Sequence, residues 1–416
     1  MDKKTILAFP FALLLGSTHP VVAVAKELKE KGYRVIFASS GKFMDYVREE
    51  GFETEEIIDF DNEWFTSHVN KGSMGYHDSE TLQKFVDEEL KLIDKYKPDL
   101  LLDIHRPSLK VSSALTGVKK ASIVDVVFTK YYAGRKSIPE THWLHFLNRN
   151  KFLKKIGNSI RKPAEDIYFK KWAKPYNRLL KSNNLPKLQS LKDTFEGDLT
   201  IFMDAKEFTP VTAINNANIH FVGPVLHTLN TKLPDWYERL DPNKKTIFLS
   251  MGSSGILFPK ILEYLVKMFR GTKDIQVVAT TAMNHEIPDM DYPENFFITD
   301  YIPADFILKN NCILVITHGG RGSLYHALKY GVPIIGIPHQ AEQEWNLERV
   351  EEMGLGILLH SKNIDFKALS DAISKIMEDK GYKKEAEAFA EILKVYNGEK
   401  EAAQIIEDFL DVKLIT

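Results

Sequence analysis

The stretch ILVITHGGRGSLYHALKYGVPIIGIPHQAEQEWN, residues 313–346, limits the fold of this chain more than any other part of it. An apolar run ends at Thr317, and a turn rich in glycine (Gly319, Gly320, Gly322) leads to Ser323. The pattern then becomes helical, with Leu324, Ala327 and Leu328 on one side. A second apolar run, Val332 to Ile337, follows Gly331, so the whole reads as a β-α-β unit of a parallel sheet. In such a unit the free amides of the turn and the positive end of the helix dipole converge at the C-terminal edge of the sheet. Glycines let a ligand approach the backbone there, and Ser323 adds a hydroxyl, so the expected ligand is a phosphate or diphosphate.

Glycine after a buried strand is common, and a bare turn would carry little. Here His318 precedes the glycines, and Pro338, Glu342, Gln343 and Asn346 follow the next strand, a set of polar groups that packing alone does not explain. In these residues the chain resembles the GT-B glycosyltransferases, specifically the UDP-glycosyltransferases and the related lipid-II-forming enzymes. Their signature reads H-G-G-x-G-[ST]-x-x-E, then G-V-P, then P-x-x-x-[DE]-Q-x-x-N. The resemblance implies an α/β fold of two doubly wound Rossmann-like domains facing across a cleft. It assigns the donor diphosphate to His318, Gly319, Gly320, Gly322, Ser323 and Asn346, and the donor sugar to Glu342 and Gln343. One position departs: the family glutamate that accepts both ribose hydroxyls is His326 here. A neutral imidazole offers at most one acceptor, so a deoxyribose donor or an altered ribose pose is admitted beside UDP.

With 416 residues the chain should hold two domains, and 44% hydrophobic with 27% charged residues is a globular composition. The single cysteine, Cys312, falls in a strand and reads as packing, so no disulfide framework exists and a reducing cytosol is the expected compartment. No apolar run reaches the ~18 residues of a membrane span. The N-terminal MDKKTILAFPFALLLG imitates a signal peptide but is read as the first strand of the fold, because a helix and strand that the fold needs follow directly.

Residues 5–15 read as that strand, residues 16–20 as a turn, and Val21 to Lys31 as an amphipathic helix before strand Arg34–Ala38. The turn resembles the family's G-H-x-x-P, whose histidine takes the proton from the acceptor hydroxyl. Aligned from Pro20, that position is Ser17, and His19 stands two residues on. His19 is the expected base, since imidazole titrates near working pH. Segment PDLLLD resembles the family strand whose aspartate orients the base, which makes Asp103 the expected partner. Asp125 is the alternative partner, and His105 is a further candidate base.

Between Lys130 and Lys181 fourteen Lys or Arg stand against Glu140, Glu165 and Asp166, interleaved with aromatics. Trp143, Leu147, Phe152, Ile156 and Ile160 recur at near-helical spacing. A basic amphipathic helix suits an anionic membrane surface or an acidic acceptor, while a solvated helical excursion is the bland reading. No motif that reads nucleic acid accompanies it. Strands Leu199–Met203 and His220–Val222 follow, and the polar stretch Leu226–Lys245 reads as a linker. Strand Thr246–Ser250 then runs into Gly252, Ser253 and Ser254, which resemble the family loop that helps hold the diphosphate. Tyr301 and Ile302 resemble the segment that packs on the nucleotide base, Tyr301 standing for its tryptophan. The expected division is therefore 1–223 with a basic insertion at about 130–181, then 224–395, with a final helix, 396–416, returning to the first domain as the resemblance implies.

Taken together, the resemblance implies inverting transfer of a sugar from a nucleotide diphosphate, most simply UDP, to a hydroxyl of an apolar or lipid-like acceptor. Fixed dipoles would stabilise the leaving diphosphate without a metal or other cofactor. Asp289-Met290-Asp291 and Asp59-Phe60-Asp61 formally match a metal-binding D-x-D but lie away from the glycine-rich turns, and are read as loop and strand-end acids. A nucleotide-sugar 2-epimerase and a non-catalytic scaffold subunit are the rival readings.

Overall fold

The computed structural model describes residues 4–61, 78–134, 137–140, 142–226, 232–252, 255–282 and 286–412. The chain divides into two compact units. The first contains β1 (Thr5–Phe9), α1 (Leu15–Glu30), β2 (Arg34–Ala38), α2 (Met44–Glu49), β3 (Glu53–Glu55), α3 (Ser79–Tyr96), β4 (Leu100–Asp103), α4 (Leu109–Thr116) and β5 (Lys120–Val124). After these come α5 (Lys151–Trp172), α6 (Lys174–Ser182), β6 (Leu199–Phe202) and β7 (Ile219–Phe221). Its strands form one parallel sheet ordered β3-β2-β1-β4-β5-β6-β7. The inner strands read as largely apolar runs because helices cover both faces, burying Ile6, Leu7, Ala8 and Phe9 of β1 completely.

The second unit contains β8 (Lys245–Ser250), α7 (Phe258–Phe269), β9 (Ile275–Thr280), β10 (Phe296–Thr299), α8 (Ala304–Leu308), β11 (Cys312–Thr317), α9 (Arg321–Lys329), β12 (Ile334–Gly336), α10 (Ala341–Glu352), β13 (Gly356–Leu358), α11 (Phe366–Glu378) and α12 (Lys380–Leu393). Its sheet is also parallel, ordered β10-β9-β8-β11-β12-β13. In each sheet the direction of strand addition reverses once, between β1 and β4 in the first and between β8 and β11 in the second. Ligands of open parallel sheets bind at such a switch point, beyond the C-terminal strand ends.

The last helix, α13 (Gly398–Val412), belongs to the first unit. Ala402, Ala403, Ile406 and Leu410 join Val21, Ala25 and Leu28 of α1 in one apolar cluster, and Lys31 reaches Glu407 at 2.6 Å. Two expectations are corrected here. β1 stops before Pro10 and α1 starts at Leu15, so residues 16–20 are helix, not turn, and Pro20 lies inside it. Residues 136–151, expected with the first domain, group with the second unit. There the Glu140 amide donates to Glu344 at 2.7 Å, the Ser361 hydroxyl donates to the Glu140 carboxylate at 2.9 Å, and Lys362 Nζ donates to the Glu140 carbonyl.

Candidate active site

In the second unit the switch point is lined by the residues that end β8 and β11. After Thr317 the backbone turns at Gly319, whose φ of +87° favours glycine, and Gly320 caps α9. Asn346 on α10 donates its side-chain amide to the Gly319 carbonyl at 3.2 Å, which braces the turn. Gly252, with φ of +58°, brings the loop after β8 against the His318 ring. A side chain at Gly252 or Gly320 would collide with that imidazole, so both glycines are needed to seat it. His318 is buried, Gly322 is exposed, and Ser323 is half-buried in the first turn of α9. Ser253 and Ser254 lie outside the described residues.

Arg321 was missed in the sequence reading. It is the first residue of α9, with its guanidinium 5.2 Å from the Tyr325 ring. A cation at the positive end of a helix dipole is unfavourable by itself, and an anion at that end reverses the sign. That mismatch was the available signal.

The residues expected at the sugar and ribose are placed less simply. The Gln343 oxygen accepts from the amides of His339 at 3.0 Å and Gln340 at 3.3 Å, so it caps α10, while Glu342 beside it is half-buried. Tyr301 is half-buried, Ile302 is buried, and both precede α8. His326 is buried, and its Nδ1 lies 3.3 Å from an Asp305 oxygen on α8. Lys329 Nζ stands 3.9 Å from the other Asp305 oxygen. Burial, reinforced by the Asp305 charge, pushes the Tyr330 hydroxyl up to about 12. Asp305 thus supplies a carboxylate one imidazole away from where the family pattern puts its glutamate.

In the first unit the expected pairing of His19 with Asp103 does not form. The Asp103 carboxylate takes Lys120 Nζ at 3.0 Å, the Ser122 hydroxyl at 2.8 Å and the Arg106 amide at 3.3 Å. Lys120 is 1% exposed, and a buried ammonium requires a counter-charge, which Asp103 provides. His19 Nδ1 instead lies 3.1 Å from the Tyr46 hydroxyl on α2. The histidine that reaches Ser17 is His105, from the end of β4, with Nδ1 3.3 Å from the Ser17 hydroxyl. His105 has φ of +56°, a strained conformation for a residue with a side chain. The strain is held by Arg106, buried between the rings of Phe9 and Phe85 and bonded through Nε to Glu89 at 2.7 Å. Phe128, 4.8 Å from the His105 ring centroid, gives one side of this position an apolar wall. Asp125 sits at the end of β5 as the N-cap of a short 3-10 helix, Val126–Phe128.

Asp291 accepts from Arg270 at 2.9 Å, and Asp59 accepts from Ser39 at 2.5 Å. Among the described residues no group of three or more His, Cys, Asp or Glu is arranged to hold a metal ion.

Comparison with known proteins bears on both units. Residues 266–408 match the model of the Erythromycin biosynthesis protein CIII-like, C-terminal domain. The chain is 26% identical to a PGL/p-HBAD biosynthesis glycosyltransferase of Mycobacterium tuberculosis, over 91% of this chain and 86% of that one. It is also 26% identical to the NDP-glycosyltransferase YjiC of Bacillus licheniformis, over 95% of each. Among solved structures, the calicheamicin glycosyltransferase CalG4 superposes with a TM-score of 0.70 at 20% identity, covering 99% of both chains. The spinosyn rhamnosyltransferase SpnG complexed with thymidine diphosphate does so with 0.66 at 15% identity, over 97% of this chain and 100% of that one.

Proposed function

Starting from a chain that is a glycosyltransferase of GT-B fold, similar to the UDP-glycosyltransferases, we propose that it moves a sugar from a nucleoside diphosphate to a hydroxyl of an apolar or lipid-like acceptor, with inversion and without a metal. The observation that carries the reading is the seat built by Gly252, His318, Gly319 and Gly320 at the N-terminus of α9, whose first residue is Arg321. Amides, dipole and guanidinium there supply fixed positive potential to a leaving diphosphate, the role a metal plays elsewhere. Glu342 lies close in sequence to the seat and suits the donor sugar hydroxyls.

The His326–Asp305 pair bears on the nucleotide. In the tautomer whose Nδ1–H donates to Asp305, His326 Nε2 presents a single lone pair, enough for one ribose hydroxyl. This favours a deoxyribose donor such as a dTDP-sugar over a UDP-sugar, and it agrees in kind with the thymidine diphosphate bound by the spinosyn enzyme.

For the acceptor we assign the base to His105. The family histidine position is Ser17 here, and the imidazole is delivered to it from β4 instead of α1. Because Nε2 of His105 is buried, Nδ1, the nitrogen beside Ser17, takes the acceptor proton as the hydroxyl attacks the anomeric carbon from the face opposite the diphosphate. The basic, aromatic-rich segment 130–181 supports an apolar acceptor and work in the cytosol at the inner face of an anionic membrane.

The test is product analysis with EDTA present, using dTDP- and UDP-sugars and phenolic or lipid alcohols. Release of the nucleoside diphosphate that depends on acceptor, with a product of inverted anomeric configuration, is expected. Epimerised free donor, or turnover abolished by EDTA, would contradict the reading.

A further inference from the structure

Surface helices bury their apolar stripe and expose their charges. Helix α5 does otherwise. At about 100° per residue, Phe152, Ile156, Ile160 and Ile167 fall within roughly 80° of one another on a single face. That face points outward: the four side chains are 73%, 40%, 43% and 71% exposed. The opposite side, through Phe169 and Trp172, packs on the cluster formed by Leu82, Val86 and Tyr176. The outward stripe runs for about 22 Å along the helix axis.

Its rim is basic. Lys155, Lys162, Lys170 and Lys171 are exposed around it, and among the described residues none of them pairs with a carboxylate. The helix as a whole carries seven Lys or Arg against Glu165 and Asp166, and Glu165 is taken by Lys192 at 2.5 Å. The rest of the chain more than offsets this charge, since the net is −2. An apolar stripe rimmed by unpaired lysines matches one surface in particular, where acyl chains lie just below anionic headgroups. A nucleic acid or an acidic protein would use the lysines and leave Phe152 and Ile160 in water.

We infer that the outward face of α5 is a membrane-docking surface, lying in the plane of an anionic bilayer with Phe152, Ile156, Ile160 and Ile167 inserted between headgroups and the lysines on the phosphates. This deepens the membrane part of the proposed function but rests on α5 alone. Among the described residues no helix is long and apolar enough to cross a membrane, so the mode is peripheral.

The experiment is sedimentation of the full-length protein with phosphatidylcholine vesicles, with and without phosphatidylglycerol. Binding is expected only with phosphatidylglycerol at low salt, and raising the salt should release it. The double variant Ile156→Ser/Ile160→Ser should lower partitioning by roughly two orders of magnitude. Lys155→Glu/Lys162→Glu should lower it by at least roughly tenfold. Both pairs are exposed, so the melting temperature and its shift with a nucleoside diphosphate should stay as in the wild type; this control separates a failure here from a failure of donor binding. The inference is overturned by absence of binding at low salt, by equal binding to neutral vesicles, by indifference to both double variants, or by a concentration-dependent dimer that the isoleucine variant abolishes.

Discussion

Two residues along an α-helix differ in direction by about 200°, and that rotation separates Ser17 from His19. Ser17 faces the loop after β4 and meets His105, whereas His19 faces α2 and meets Tyr46. Pro20 made the segment read as a turn, in which His19 could have swung freely; as the fifth residue of a helix His19 has no such freedom. His105→Ala should therefore lower transfer by roughly 10²- to 10⁴-fold with nucleotide affinity unchanged, and His19→Ala should lower it far less. Acceptor-dependent diphosphate release, measured beside calorimetric nucleotide binding, checks this. Asp103 makes a different prediction because its partner is Lys120. Lys120→Met leaves a buried carboxylate uncompensated and should cost about 3–5 kcal/mol in a denaturant titration. Arg321→Ala should weaken nucleoside diphosphate binding roughly tenfold or more. Nucleotide affinity unchanged in the variant would mean that Arg321 takes no part in the seat.

At the scale of elements, the β11-turn-α9 unit was legible because three signals agree: an apolar run, a glycine-rich turn in which φ turns positive at Gly319, and helical spacing after it. The 3-10 segment Trp143–Arg149 and the residues before it were not. Charge and aromatic spacing there predicted a surface excursion of the first domain, but what fixes this segment is a set of contacts distant in sequence, Glu140 with Glu344, Ser361 and Lys362. No local pattern encodes such pairs. Burial pushes the Glu344 carboxyl above its ordinary range, partly opposed by the Glu140 amide. An acid whose pKa is raised on folding binds its proton more tightly in the native state. Its contribution is present at low pH and is lost as pH rises through the raised value. Glu344→Gln should remove that component, so the pH profile of the melting temperature should be flatter for the variant above the ordinary glutamate range. Parallel profiles would show that Glu344 is charged in the fold.

At the scale of the whole molecule, both halves follow one plan, a parallel sheet with its functional turns at the strand-order reversal, and apolar periodicity shows that plan wherever strands are buried on both faces. Long-range closure is less visible in sequence. Helix α13 is amphipathic like many others, and only its contacts with α1 show that it completes the core of the first unit. Ile406→Ala should cost about 2–5 kcal/mol, and a urea titration that showed no loss would deny α13 that role. The residues proposed for the ribose depart from the resembling pattern at His326, where the sequence showed a change but not the Asp305 partner that accompanies it. Calorimetric titration of the intact protein with dTDP and UDP, with and without EDTA, tests the central claim most directly. Metal-independent binding that is tighter for dTDP, and weakened in Arg321→Ala, is the predicted result. If neither nucleotide binds, or if binding requires a divalent ion and ignores Arg321, the glycine-rich turn of α9 is not a diphosphate seat.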